Sequence, residues 1–365
     1  MIRIWRDDRV FYTFLILYAL VIAALALTTP LSPSEAQLFY RQEWSPAVWA
    51  ARLLHQVFLG TLGLRLVPFL LGMLNLYLFY HLLPDYFERI EDRRFTLMIF
   101  AILPGVIAAN VLLNDAVFAL SLTLLFLWAY RRRVFWLEAL ALGVLLSTAT
   151  ASFALYLGVA LYAWAHRERA LALLAGGLLI LSLLGGRYLI GGHPQGHLPE
   201  LFGIYAALFS PLFFVYYFYA LYRVALEGPR DLYWSIAFSA LALSILLSIR
   251  QQVLIVDFSP YLLAGTMIPV AVYFRSMRVR MRRFQRRYRI AGAIVLITLL
   301  LSSMAVILHR PLYELLGRPH HFFAAPLYEI PAQIEGLRSR GQSCHPPVKR
   351  RYDVLYRFYG MPACK

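Results

Sequence analysis

The sequence predicts an all-α polytopic membrane protein with about 11 transmembrane helices, and three observations carry that expectation. The 365-residue chain is 61% hydrophobic and only 15% charged, whereas soluble domains run near 45–50% apolar and about 25% charged. Apolar runs recur along its whole length, each close to the ~20 residues that a helix needs to cross ~30 Å of hydrocarbon. The arginines between these runs gather on alternate loops, as cytoplasmic loops do under the positive-inside rule.

In a soluble protein a formal charge of +16 would suggest nucleic acid. Here the charge sets topology, and no RNA- or DNA-reading motif accompanies it, so no nucleic-acid partner is expected. Lys349 and Lys365 are the only lysines; the other basic residues are Arg.

The first run, 10–27, follows Arg3, Arg6 and Arg9, which places the N-terminus in the cytoplasm. Its start resembles a signal peptide, but the run is long for an h-region and no small-x-small cleavage site follows. It reads as an uncleaved span. Residues 28–63 form the first external loop, whose "WSPAVWAARLLHQVFLGTLG" is amphipathic enough to lie along the interface as short helices.

The run 64–83 leads to the cytoplasmic "PDYFERIEDRR", and 95–113 goes out to Asn114 and Asp115. The run 116–130 stops at Arg131, Arg132 and Arg133, and a tight pair, 135–150 and 152–165, ends in "HRER". The run 170–190 leads to the external "GGHPQGHLPE", and 203–224 returns to "ALEGPRD". The runs 232–249 and 261–275 flank the external "RQQVLIVDFSP", and 290–308 exits after the basic "RSMRVRMRRFQRRYR". Residues 1–308 then form one transmembrane domain, and 309–365 a small external C-terminal module. No internal repeat is visible.

Two acids fall on the external side at span ends, Glu35 after the first run and Asp115 between the third and fourth. Charges retained at such depth usually face a cavity or a partner. The plainer reading makes Asp115 the cap of the fourth span and Glu35 a loop residue. Arg52, Arg65, Arg187 and Arg250 also lie at external span ends, against the charge rule. Each could snorkel to lipid phosphates; together they favour a phosphate-containing ligand, which Arg binds in bidentate fashion. His193, His197 and Asp257 lie in the loops that would cover such a site, and His55 lies in the first-loop helix. Cys344 and Cys364 could close a disulfide if the tail faces an oxidising compartment. No cofactor or metal is expected, since neither the two cysteines nor His309, His320 and His321 have ligand spacing.

Three stretches resemble the GT-C class of membrane glycosyltransferases, in its protein O-mannosyltransferase and lipid A aminoarabinose transferase branch. "SPSEAQLFY" looks like the family's acidic first-loop motif. "SPAVWAARLLHQVFLGTLGLRLVPFLLGMLNLYLFY" looks like its Pro-aromatic loop helix followed by the Gly-to-Arg-Leu-Pro start of the second span, here Gly60, Arg65, Leu66, Val67 and Pro68. "ANVLLNDAVFALSLTLLFLWAYRRR" looks like its second acidic position. "VDFSPYLLAGTMIPVAVYF" is loosely similar to a late span. Residues 10–165 carry most of the likeness. The family's basic-Pro-Pro element is replaced by Trp44, Ser45 and Pro46, and its large C-terminal domain is reduced to the short tail.

The resemblance implies a GT-C-like fold and a glycosyltransferase of a bacterial inner (plasma) membrane. Its partners would be a polyprenyl-phosphate-linked sugar donor and a lipid, glycan or protein acceptor of the cell envelope. It implies an inverting transfer with Glu35 as base and Asp115 orienting the acceptor or sharing that role. Such a transfer needs positive charge to stabilise the departing phosphate, for which Arg65, Arg187 and Arg250 are candidates from position only. The alternatives are a transporter or flippase of a lipid-linked or anionic substrate, and a non-catalytic envelope-assembly protein. The first would want ionisable residues or broken helices at span centres, and the sequence shows almost none.

Overall fold

The computed structural model describes residues 2–40, 45–57, 61–186, 196–317, 323–342, 344–345 and 350–364. These residues are helical throughout, apart from turns and one isolated bridge between His345 and Ala363. The first half of the chain holds α1 (Ile2–Thr28), α2 (Pro33–Tyr40), α3 (Pro46–Val57), α4 (Thr61–Leu82), α5 (Ile90–Ile102), α6 (Pro104–Val111), α7 (Asp115–Arg132), α8 (Phe135–Thr148), α9 (Ser152–Ala165) and α10 (Arg169–Leu184). The second half holds α11 (Leu198–Phe209), α12 (Pro211–Glu227), α13 (Leu232–Ser248), α14 (Ile255–Ala264), α15 (Met267–Val279) and α16 (Arg282–Ile307). The tail adds α17 (His309–Leu315), α18 (Ala325–Ser339) and α19 (Arg350–Phe358).

Among the described residues, four segments are long and apolar enough to cross a membrane: Arg9–Thr28, Thr61–Asp85, Ile255–Val279 and Arg282–Ile307. Two bent pairs, α5 with α6 and α11 with α12, raise the number to six if each is one crossing. These helices fit an integral membrane protein. The all-helical class predicted from sequence is thus found, whereas the described residues hold four to six candidate spans in place of the predicted eleven. The helices α8, α9, α10 and α13 have 14 to 17 residues, short of the ~20 of a full crossing. The 18 residues of α7 include Asp115, Arg131 and Arg132.

The bends follow from sequence. Pro104 has no N–H to donate and forces Leu103 into an extended conformation, so α5 and α6 meet at 61°. Two hydroxyls from other helices bind carbonyls at this break, Tyr18 of α1 on Ala101 (3.0 Å) and Ser303 of α16 on Ile102. In apolar surroundings such freed carbonyls must find partners. Pro211 ends α11 likewise. There Ser210 adopts a left-handed φ of 73°, and α11 and α12 meet at 104°. The sequence reading gave span centres almost no broken-helix features; these two bends correct it.

The helix α4 is central, packed by α1, α3, α6 and α7, and α9 lies between α10 and α13. The tail is not a free module. Its α19 packs on α2, and Leu355, Tyr356 and Met361 share a buried cluster with Leu31, Ala36 and Leu64.

Candidate functional site

The buried corner between α1 and α2 is built by Ser32. The Ser32 hydroxyl accepts from the Glu35 N–H (3.1 Å), and the Glu35 carboxylate accepts from the Ser32 N–H (2.8 Å). This reciprocal capping box supplies two donors at the start of α2 with partners. It also fixes Glu35, 1% exposed, toward Arg65 of α4, also 1% exposed.

Arg65 donates Nε to Glu35 Oε1 (3.2 Å) and Nη2 to Oε2 (3.0 Å). Its remaining donors reach the carbonyls of Ala26 (2.8 Å), Thr29 and Pro30 (2.8 Å), which the end of α1 leaves open. All five guanidinium N–H groups are engaged. Glu35 Oε1 also accepts from the Leu113 N–H (3.0 Å), so its carboxylate holds four donors, about its full acceptor capacity. In this conformation Arg65 has no N–H for a phosphate, and Glu35 has no lone pair for a substrate proton. The sequence placed those tasks on them because it showed their charge and not their partners.

Asp115 differs. The cap of α7 is Asn114, whose side chain accepts from the Val117 N–H (2.8 Å); Asp115 is the first helical residue and not the cap the plain reading gave it. One carboxylate oxygen accepts from the Ser45 hydroxyl, and Ser45 also accepts from the Val48 N–H (3.4 Å) at the start of α3. Asp115 is half-buried, and its Oδ2 has no hydrogen-bond partner among the described residues.

Beside this corner lies a cleft of about 410 Å³ between α1, α6, α11 and α16. Pro104 and Ile107 on one wall and Ile204 and Leu208 on another make it apolar. Thr29, Ser32, Ser34 and His309 give it a polar margin. The two helix bends bound it, since Pro104 starts α6 and Leu208 is in the last turn of α11.

The other predicted residues scatter. Arg52 gives its Nε to the Phe39 carbonyl (2.8 Å) and lies over that ring. His55 packs on the rings of Phe39 (5.2 Å) and Phe358 (5.7 Å). His197 faces Glu200 (3.6 Å), which accepts from Gln252. Asp257 accepts from the Thr150 hydroxyl. Arg250 is exposed just past α13. Arg187 and His193, with His320 and His321, lie outside the described residues. Cys344 and Cys364 are joined in a disulfide. Among the described residues no three His, Cys, Asp or Glu side chains gather as metal ligands.

The sequence reading gave no site role to Ser32, named Ser45 only as a departure from the family pattern, and set His309 aside for want of metal-ligand spacing. Ser32 was signalled by its Ser-x-x-Glu spacing; Ser45 and His309 gain their places only through tertiary packing. Comparison with known protein families, curated proteins and solved structures finds no match to this chain.

Proposed function

We propose that this chain is a membrane glycosyltransferase, drawing a sugar from a polyprenyl-phosphate-linked donor, with Asp115 as its base. One observation carries the reading. The stretches that resemble the GT-C class are far apart in sequence yet bond at one corner, through Glu35 to Arg65, Glu35 to Leu113, and Ser45 to Asp115. In this reading the eleven runs each cross an inner (plasma) membrane, the shorter helices included, with the N-terminus cytoplasmic and the corner and tail outside.

The acceptor hydroxyl attacks the anomeric carbon and the bond to the phosphate oxygen breaks. Polyprenyl phosphate leaves with the electron pair, and the acceptor proton passes to Asp115 Oδ2. Ser45 holds the other oxygen and fixes the carboxylate. Glu35 and Arg65 position the corner and do not touch substrate. Arg250 and Arg187 remain the phosphate candidates by position.

A second reading, transport of a lipid-linked or anionic substrate, gains from the two bent helix pairs beside the cleft, because discontinuous helices recur at transporter sites. Vesicles containing the purified protein and a panel of polyprenyl-phosphate sugars separate the two. Sugar-dependent release of polyprenyl phosphate, lost in Asp115→Asn, is expected. Movement of donor across the bilayer without any release would establish transport instead.

A further inference from the structure

His309 opens α17 just beyond the end of α16 and is 8% exposed. Its Nδ1 lies 2.8 Å from the Val306 carbonyl. A carbonyl can only accept, so Nδ1 carries a proton. Burial holds the ring below its ordinary value, and the charges of Arg65 and Arg310 act in the same direction. The imidazole is therefore neutral at pH 7, and its other nitrogen, Nε2, is a hydrogen-bond acceptor. That nitrogen is buried with no partner, and so is the hydroxyl of Tyr328, whose ring lies 5.9 Å from that of His309. Buried polar atoms left unpaired in this way point to a missing ligand.

His309 lines the cleft between α1, α6, α11 and α16, and among the described residues no charged side chain lines it. Ile204 and Phe323 at its edge are exposed, so an apolar chain can enter from the side. The two cations that act on the ring are committed, Arg65 with every N–H taken and Arg310 paired with Glu314 (3.5 Å). The free acceptor therefore selects a hydroxyl donor, because a phosphate would bring more acceptors and find no uncommitted positive charge beside the ring among the described residues. We propose that this cleft binds a neutral hydroxyl-bearing amphiphile, its chain along α6 and α11 and its hydroxyl donating to His309 Nε2. This site stands whichever functional reading of the Asp115 corner holds.

The test uses the full-length protein in phosphatidylcholine nanodiscs with ¹⁵N-labelled histidine, the His309 signal being assigned by its loss in His309→Gln. Dodecylglycerol should shift the Nε2 resonance saturably. Its fully O-methylated form and dodecyl phosphate should each bind about tenfold more weakly or worse, the expected cost of one buried hydrogen bond left unmade. Ile204→Trp, which narrows the cleft away from His309, should abolish the response while leaving the resonance of the ligand-free protein in place. Equal affinity for the alcohol and its ether, tighter binding of the phosphate, an unmoved resonance, or an undiminished response in Ile204→Trp would each overturn the proposal.

Discussion

The two ends of α4 treat charge in opposite ways. Near its start Arg65 and Glu35 are both 1% exposed and make every hydrogen bond they can. Beyond its end Asp85 pairs with Arg131 (2.9 Å) with side chains 27% and 35% exposed, and takes a hydrogen bond from Tyr233 (2.6 Å). At that same end Tyr86 bonds Asp231 and Arg278 pairs with Asp92. The 22 residues of α4 separate the two clusters by about 33 Å. A half-exposed pair can fall back on water when broken. A fully buried pair cannot, because the surviving charge keeps its desolvation cost. The Glu35 corner should therefore be an all-or-none structural lock, and the Asp85 end a set of adjustable contacts.

The largest expected effect follows from that lock. Glu35→Gln places an amide N–H₂ against two of the four donors, and Arg65→Met leaves three carbonyls unmet and a buried carboxylate with only the Ser32 and Leu113 N–H groups. Each should cost about 3–5 kcal/mol, read as a large fall in thermal midpoint. The double variant should lose less than the sum of the two, because the partners that each single change strands are removed together. Strict additivity would show that the two side chains do not act as a pair.

Next is the cap over the corner. The disulfide spans 20 residues of sequence, and a loop of that length contributes about 3 kcal/mol of chain entropy. Cys344→Ser with Cys364→Ser should expose α19 to proteolysis before the bundle, since α19 packs on α2. Unchanged protection would mean that the packing of Leu355 and Tyr356 alone holds the tail.

A smaller effect depends on pH. The ring of His309 is kept below its ordinary value of 6.5 by burial. The unfolded chain thus takes up a proton before the folded one as pH falls. The associated stability is present above about pH 6.5 and is lost on acidification below it. The thermal midpoint of wild type should drop more between pH 7 and pH 5 than that of His309→Gln. Parallel curves would show the ring to be solvated.

The smallest effect belongs to the other end of α4. Arg131→Gln should cost about 1 kcal/mol or less, as partly exposed pairs do. A loss rivalling that of Glu35→Gln would erase the contrast between the two ends.

Sequence made part of this visible. The helical class followed from apolar runs, and the bends were written in Pro104 and Pro211, although their angles of 61° and 104° depend on what packs against them. Glu35 stood out as an acid after an apolar run, and the Ser32 spacing that caps α2 was there to be read. What no local pattern encodes is that Leu113, 78 residues away, donates its N–H to the same carboxylate. Arg65 was legible as a cation at a span end, but its saturation by three carbonyls of the α1 exit is a product of the fold. The tail's place over the corner was equally hidden, because an amphipathic helix does not name the surface it covers.

The central claim divides two acids by role, Glu35 as structure and Asp115 as chemistry. Thermal unfolding and donor turnover measured together on Asp115→Asn and Glu35→Gln test it most directly. Asp115→Asn should unfold like wild type and turn over no donor, while Glu35→Gln should unfold well below wild type and retain turnover in whatever fraction stays folded. A Glu35→Gln protein as stable as wild type yet inactive, beside an active Asp115→Asn, would contradict the account.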